Sequence, residues 1–290
     1  MKSGLPDLLV CPSCRGGLAY GESTIRCTRC GAAYPMQGDV PVLIPTESSF
    51  APSPREPLAP AQAGRLPAWM RRLLRPYLEF NPPLTTWIDR SLFGQLNACT
   101  AEMWILNLGS GVGLFDRALA PHLNLIHLDV VPRGQVDVVA DAHWLPFADV
   151  SLDGVYSNAV LEHVQRPWRV ADEIYRVLRP GGRIFINVPF LNIVHDDHDY
   201  FRFTDRGLDV LFAQFQKVAG GVSAGPSSFL GPFLIEYILC GIPGRYLKAA
   251  VRPLLAFAVW PLKYLDFLLR RSPSLRLTAD AFYFVGVKPS

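Results

Sequence analysis

Four of the six cysteines fall into two pairs, Cys11/Cys14 and Cys27/Cys30, spaced Cys-x2-Cys-x12-Cys-x2-Cys. Thiols at this spacing bind metal more readily than they form disulfides, because two tight turns can each present two thiolates to one tetrahedral ion. Gly16, Gly17 and Gly31 follow the pairs and permit the positive-φ turns that such knuckles need. Sulfur at all four positions leaves no coordination site for water, so the spacing predicts a structural Zn2+ and not a catalytic one. Cys99 and Cys240 stand alone in apolar surroundings and read as small buried hydrophobes.

A second constellation begins at ILNLGSGVG, residues 105–113, an apolar strand running into a glycine-rich turn and then a helix. Glycines let the backbone approach a ligand closely, and a helix N-terminus offers unpaired N–H groups. Asp129 ends the next strand about twenty residues on, where a carboxylate can accept both hydroxyls of a ribose. A third strand ends at Asp141-Ala142-His143 ahead of Leu145-Pro146-Phe147, an acceptor beside an apolar wall, and a fourth ends in SNAVLEHV, residues 157–164. A glycine loop alone is a weak signal, since nicotinamide-binding enzymes use one. Those normally carry G-x-G-x-x-G, whereas here the third glycine follows the second by two residues.

The order LNLGSGVG, HLDV, ADAHWLPFAD, SNAVLEHV, VLRPGG resembles the class I S-adenosylmethionine-dependent methyltransferase family, over residues 103–215. The resemblance implies S-adenosyl-L-methionine as cofactor. Asn107, Gly109, Ser110, Gly111 and Gly113 would surround its methionine part and ribose, Asp129 would hold the ribose, Asp141 and Ala142 would meet the adenine, and Ser157 would lie near the sulfonium. The first 45 residues, with LVCPSCRGGL and IRCTRCGAAYPMQGDVPVLIP, resemble the small zinc-ribbon family that activates tRNA and protein methyltransferases, which implies a stabilising role or a protein partner.

Methyl transfer is an in-line displacement from an already activated sulfonium, so the protein's task is alignment and exclusion of water, with a base only where the nucleophile holds its proton. Acceptor contacts are expected after the fifth strand, in NVPFLNIVHDDHDYFRFT, residues 187–204, because ligands sit beyond the carboxyl ends of parallel strands. The candidates are His198 as base, Asp199 as its orienting partner or a hydroxyl acceptor, and His195, Tyr200 and Arg202 as acceptor contacts. The competing reading has Tyr200, Arg202 and Thr204 packing against and capping a helix over 205–215. Glu162 and His163 read equally as ordinary polar residues of a helix start. The H-x-x-x-H-D-Y-x-R-F-T segment resembles a methyltransferase branch associated with cell-surface glycan or lipid gene clusters. That resemblance implies a small-molecule or lipid/glycan-linked acceptor methylated at hydroxyl or carboxyl. An RNA methyltransferase and a non-catalytic adaptor are the alternatives. A ribosomal-RNA methyltransferase family also carries an N-terminal zinc module, but its metal motif usually includes a histidine. The formal charge of +3 and the missing Lys/Arg stripe argue against nucleic acid.

Strands alternate with helices from residue 103 onward, with β-rich runs at 103–108, 125–130, 136–140, 152–157 and 183–188, and a helix over 168–178 stopped by Arg179-Pro180-Gly181-Gly182. The pattern predicts an α/β fold, a doubly wound seven-stranded class I methyltransferase sheet whose antiparallel last strand is 281–288. It carries a small N-terminal zinc ribbon and a C-terminal helical insertion before that strand. The predicted organisation is a ribbon over 1–45, a Pro-rich linker over 46–68 that uncouples it, and a methyltransferase domain over 69–290, with helices at 69–80 and 84–97. Within the domain, 229–271 is an apolar and basic insertion: from 229 to 277 seven Lys/Arg face Glu236 and Asp266, a net +5 against +3 for the whole chain. On one continuous helical wheel the charges form a narrow face, which predicts a helix lying on a membrane surface, kinked at Pro253 and Pro261. With no apolar leader ahead of Cys11, the expected location is cytoplasmic, peripheral at the inner membrane face.

Overall fold

The computed structural model describes residues 1–49, 100, 102–111, 124–132, 136–194 and 197–290. The predicted helices at 69–80 and 84–97, nearly all of the predicted linker, Cys99, Gly113 and His195 lie outside the described residues.

The chain opens with a short helix α1 (Leu5–Leu8) and strands β1 (Leu18–Tyr20), β2 (Thr24–Cys27), β3 (Ala33–Gln37) and β4 (Val40–Leu43), each antiparallel to the next. The central strands are β5 (Trp104–Leu108), β6 (Asn124–Asp129), β7 (Val138–Ala140), β8 (Leu152–Asn158) and β9 (Leu178–Pro189). Their middles, residues 105–108, 126–128, 138–140, 154–157 and 184–186, are buried without alternation, as in strands covered on both faces. Two further strands, β10 (Gln216–Ala224) and β11 (Ala281–Val287), complete the order β7-β6-β5-β8-β9-β11-β10. β5 through β9 run parallel, while β11 enters antiparallel between β9 and β10, with Ala281 opposite Pro189 and Val287 opposite Arg183. The expected seven-stranded class I sheet is present. Its strand order reverses between β5 and β8, and at such a point the connecting segments diverge and leave a crevice beyond the carboxyl ends.

Helix α2 (Pro167–Val177) buries Val170, Ala171, Ile174 and Val177 as one stripe on the sheet. The Arg179-Pro180-Gly181-Gly182 turn is accommodated as a register shift between β8 and β9, with Gly181 at φ 78°.

The N-terminal module does not stand apart. β4 pairs in parallel with β7, Val42 opposite Val139 and Leu43 opposite Ala140, so the apolar VPVLIP run extends the main sheet. Leu5, Leu9, Cys11, Ile25, Tyr34 and Leu43 share one buried cluster with Val138, Leu145 and Phe147. Val10 donates its amide to Pro146 O and Ala148 donates to Leu8 O. The expectation of an uncoupled ribbon treated the apolar exit strand as a local feature; its backbone and side chains are completed by β7.

Between β10 and β11 stand α4 (Pro226–Cys240), α5 (Arg245–Val259), a 3-10 turn (Trp260–Leu265), α6 (Asp266–Leu269) and a second 3-10 turn (Pro273–Thr278). Ile235, Leu239 and Ala256 pack α4 against α5. Pro253 is tolerated inside α5, but Pro261 lies at the start of the 3-10 turn and α5 ends at Val259. The single wheel drawn over 245–270 is therefore broken at that point. Asp266 is wholly buried and accepts from Ser227 N (2.9 Å), Ser228 N (3.2 Å) and Ser228 Oγ (2.8 Å), capping α4. Gly225 is needed beside it, since a Cβ there would lie 2.5 Å from Asp266 Cγ. Among the described residues no helix is long and apolar enough to cross a membrane.

Candidate functional site

At the carboxyl end of β5, Gly109 and Gly111 adopt φ values of 70° and 54°, the left-handed region where a side chain is strained. Gly109 has a second reason to lack one: a Cβ would stand 2.2 Å from Val160 Cγ2, because the segment after β8 packs directly on this loop. Gly109 and Ser110 both donate to Leu128 O, at 2.8 and 3.1 Å, and Gly111 N donates to Asp129 Oδ2 at 2.8 Å. Val131 N holds the other oxygen at 2.9 Å. Asp129 is thus fixed against the loop with lone pairs left for further donors. Asn107 is buried below, its Nδ2 lying 3.2 Å from His127 Nδ1.

Asp141 follows β7 with its carboxylate buried and engaged: His143 N (2.9 Å), His143 Nδ1 (2.6 Å) and Ser48 Oγ (2.5 Å) all reach it. Burial alone would raise this carboxyl, but the hydrogen bonds from His143 and Ser48 outweigh it and hold it below the usual carboxylate range. His143 Nε2 accepts from Arg166 N at 3.2 Å, which leaves the proton on Nδ1 to be given to Asp141. Ala142 follows at the start of a 3-10 turn, and Trp144 closes it beneath Arg166 and Arg169, whose guanidinium carbons lie 5.3 and 4.6 Å from the ring centroid. Neither Ser48 nor His143 was singled out from the sequence. Ser48 lay within the expected linker, and the partner that gives it a role is 93 positions away.

Around the crevice several buried polar atoms have no hydrogen-bond partner among the described residues: Ser110 Oγ, Ser157 Oγ, Asn187 Oδ1 and both carboxylate oxygens of Glu162. Buried polar atoms in a folded protein are nearly always paired, so a cluster of exceptions at the carboxyl ends of β5, β8 and β9 marks a place for a polar ligand. Ala159, the turning residue between β8 and the 3-10 segment Leu161–His163, has φ 55°, a strained value for a residue with a side chain.

The acceptor-side loop follows β9. Tyr200 N and Phe201 N donate to Glu162 O at 2.7 and 3.3 Å, fastening the loop to the segment after β8. The Asp199 side chain is wholly buried and both its oxygens are bound by the Arg202 guanidinium, which also donates to Ile193 O at 3.0 Å and Phe201 O at 2.8 Å. His198 is exposed, and its carbonyl faces His163 Nδ1 at 3.2 Å. Tyr200 is half-exposed, its hydroxyl 3.4 Å from Gln165 Nε2. Thr204 caps helix α3 (Asp205–Leu211), accepting from Gly207 N at 2.9 Å. The loop is thus held by Arg202 and Thr204, with His198 and Tyr200 left toward solvent.

Two acids here are shifted upward. Burial pushes the Glu162 carboxyl up to about 7 against the pull of its own backbone amide, and the nearby Asp199 adds to the rise while Arg202 opposes it. Burial, with Asp266 beside it, pushes Asp280 up to about 7 as well. Sequence reasoning passed over Asp280. The available signal was an acid directly ahead of the antiparallel last strand, whose start must lie at the edge where the parallel strands end.

At the far edge of the sheet the Sγ atoms of Cys11, Cys14, Cys27 and Cys30 all lie within 4.8 Å of one another, with Cys11–Cys30 at 3.8 Å and Cys14–Cys27 at 3.4 Å. Four sulfurs about 2.3 Å from one tetrahedral Zn2+ would stand about 3.8 Å apart, so the donor set fits that ion. Burial would raise the Cys27 thiol, but the amides of Cys30 and Arg29, each 3.4 Å from its sulfur, hold it below the usual thiol range. Gly16 closes the knuckles, where a Cβ would lie 2.5 Å from Arg29 Cβ and 3.1 Å from Cys27 Sγ.

Residues 106–186 match the family described as a methyltransferase domain. An uncharacterized methyltransferase of Mycolicibacterium vanbaalenii is 39% identical over 95 residues, 28% of this chain and 37% of that protein. The biotin biosynthesis bifunctional protein BioHC of Cellvibrio japonicus is 35% identical over 113 residues, 34% of this chain and 22% of that one. The chain spans about a third to a half of the length of the first curated relatives it matches. Among solved structures, a SAM-dependent methyltransferase from Archaeoglobus fulgidus overlays 70% of this chain and 94% of its own with a TM-score of 0.45 and 15% identity.

Proposed function

We propose that this chain, whose residues 106–186 are a methyltransferase domain of the class I S-adenosylmethionine-dependent type, transfers a methyl group to a hydroxyl or carboxyl of a lipid- or glycan-linked precursor at a membrane surface. The observation that carries the methyltransferase reading is the crevice where the strand order reverses. There Gly111 N is bonded to Asp129, and the Ser110 and Ser157 hydroxyls are buried without partners among the described residues. In this reading Asn107, Gly109, Ser110, Gly111 and Gly113 hold the methionine and ribose part of the cofactor. Asp129 accepts the ribose hydroxyls, Ala142 and the Asp141 turn meet the adenine, and Ser157 lies by the sulfonium. When bound, the cofactor supplies an electrophilic methyl carbon. The chain's own work is to align an acceptor with it and exclude water. His195, His198, Asp199 and Tyr200 are the sequence candidates for acceptor contact; Asp199 acts there through Arg202, which holds the loop.

The four cysteines hold a structural zinc, supported by the sulfur spacing. The membrane element of the reading rests on the insertion, which leaves Leu254, Phe257 and Leu268 at 71%, 62% and 80% exposure within a segment carrying Arg245, Lys248, Lys263, Arg270 and Arg271. It puts the protein at the cytoplasmic face of the membrane. Calorimetric titration with S-adenosylmethionine and S-adenosylhomocysteine tests the cofactor, and absence of heat with both overturns the reading. Incubation with methyl-labelled cofactor and fractions of a host lysate tests the acceptor, where label in RNA or protein and not in lipid or glycan would replace the substrate class.

A further inference from the structure

Glu162 is a costly residue that the proposed cofactor contacts do not use. It stands in the 3-10 segment Leu161–His163, two positions after Val160, whose methyl group lies against Gly109. That puts it on the β8 flank of the crevice, opposite the glycine loop. Its side chain is wholly buried, and among the described residues neither carboxylate oxygen is hydrogen-bonded by another residue. His163 Nε2 stands 3.9 Å from Oε1, Asp199 and Arg202 face it from the loop after β9, and Arg202 is in turn engaged by Asp199 through both oxygens. Asp280, at the start of β11, faces the same Arg202 from the third side. One guanidinium, already paired, is therefore set among three buried acids.

We propose that Glu162 is the proton acceptor of the transfer, and that the acceptor molecule is a proton-bearing nucleophile, an amine or a hydroxyl, and not a carboxylate. The inference rests on the methyltransferase reading above and revises its acceptor, keeping the hydroxyl, removing the carboxyl and admitting an amine. A lone pair on the acceptor's nitrogen or oxygen forms the bond to the methyl carbon, the carbon–sulfur bond breaks with its electrons going to sulfur, and the N–H or O–H proton passes to Glu162. A buried carboxylate that no other residue's donor reaches is satisfied by such a hydrogen-bearing group. An incoming carboxylate brings no proton and adds negative charge to a wall already short of cations. A base whose carboxyl titrates at about 7 is ionised enough to accept and basic enough to draw the proton at neutral pH. The strained turn at Ala159 is consistent with a segment held to aim this side chain inward.

The test needs no known acceptor. Wild type and Glu162→Gln are titrated with S-adenosylmethionine and S-adenosylhomocysteine at about pH 6 and about pH 8.5, on either side of a midpoint near neutrality. An ionised carboxylate facing the sulfonium favours the cation over the neutral thioether. The preference for S-adenosylmethionine is therefore expected to rise roughly tenfold with pH in wild type and to stay flat in Glu162→Gln. A flat wild type, or a rise that survives in Glu162→Gln and vanishes in Asp280→Asn, overturns the assignment. Failure of both ligands to bind at either pH overturns the methyltransferase reading instead, and retained S-adenosylhomocysteine binding shows that the variant is folded. With lysate fractions and saturating labelled cofactor, Glu162→Gln is expected to transfer label at least about 100-fold more slowly, with S-adenosylhomocysteine affinity unchanged. Label released as methanol by base, the mark of a methyl ester, would overturn the acceptor class.

Discussion

Two regions of this sheet, its β4 edge and the carboxyl ends of its central strands, are built on opposite terms. At the β4 edge, polar groups are closed onto one another: amides point at Cys27 Sγ, Leu8 and Val10 exchange hydrogen bonds with Ala148 and Pro146, and Ser48 and His143 saturate Asp141. At the carboxyl ends of β8 and β9, buried oxygens of Ser157, Asn187 and Glu162 are left without partners among the described residues, beside a strained Ala159. One region spends its chemistry on holding shape. The other keeps chemistry unspent for a ligand, at a cost in stability that the first must offset. Substitutions in the first should therefore weaken the fold, and substitutions in the second should strengthen it while removing function.

The largest effect is expected from the metal centre. With Zn2+ bound, Cys27→Ser removes one of four ligands, and structural zinc sites of this kind contribute on the order of 10 kcal/mol to folding of their modules. Because β4 is a strand of the main sheet, the loss should not stay local. The melting midpoint of the entire protein should fall by more than about 10 °C, and Asp141, deprived of Ser48, should lose cofactor affinity with it. Thermal melts with metal analysis check this. A ribbon that unfolds alone while the methyltransferase melt is unchanged would break the comparison and restore two uncoupled units.

Next comes the cofactor crevice. Asp129→Ala removes the acceptor that organises Gly111 and the proposed ribose contacts, and should weaken S-adenosylmethionine binding by roughly 2–3 kcal/mol, about 100-fold, in a titration. Gly109→Ala meets Val160 and an unfavourable φ together, so it should lower stability by about 1–3 kcal/mol besides affinity.

Much of this was legible in the sequence because the signals are local. A cysteine spacing, a glycine loop after an apolar run, and Pro-Gly punctuation each state their structure within a few residues, and the strand set, the insertion and the antiparallel last strand follow from them. What was not legible depends on partners far along the chain. The VPVLIP run reads as the end of a ribbon until β7 is beside it, Ser48 reads as linker until Asp141 is, and Glu162 reads as a helix-start acid until its burial is known. The single helical wheel over 245–270 failed for a local reason, since Pro261 converts the helix to a 3-10 turn with a different angle per residue.

Glu162→Gln sharpens the comparison from the other side. In the unfolded chain this carboxyl titrates at its ordinary 4.5, and in the fold at about 7. Below the unfolded value both states carry the proton and the substitution changes nothing. As pH rises, the unfolded state releases its proton first, so wild-type stability drains away until pH passes about 7 and then levels off. The cofactor-free Gln variant should therefore be more stable than wild type by roughly 1–3 kcal/mol at about pH 8 and indistinguishable from it at about pH 4. Urea titrations at the two values read this directly. A variant less stable at pH 8 would mean that the carboxylate has partners in the fold and belongs with the satisfied edge.

The smallest effect on fold and cofactor is expected from the outer face of the insertion. Leu254, Phe257 and Leu268 are exposed, so changing all three to Ser removes little buried area, and stability and S-adenosylmethionine affinity should move by less than about 0.5 kcal/mol. The interior of the same insertion behaves differently. Asp266 caps α4 from within, Arg252 pairs with Glu236 at 2.5 Å between α4 and α5, and Ile235 and Leu239 meet Ala256. A change at Asp266 should therefore unseat the helices, whereas the triple change should not. If the outer face meets an anionic bilayer, its loss must appear only there: wild type should float with vesicles rich in phosphatidylserine or phosphatidylglycerol, and the triple variant should remain in the dense fraction with its melt and titration intact. Raising salt should release wild type partially and not fully, because Lys and Arg attraction is screened while apolar insertion is not. A wild type that fails to float at low salt removes the membrane from the reading, and a triple variant that melts lower by several kcal/mol places those side chains in a packed interface.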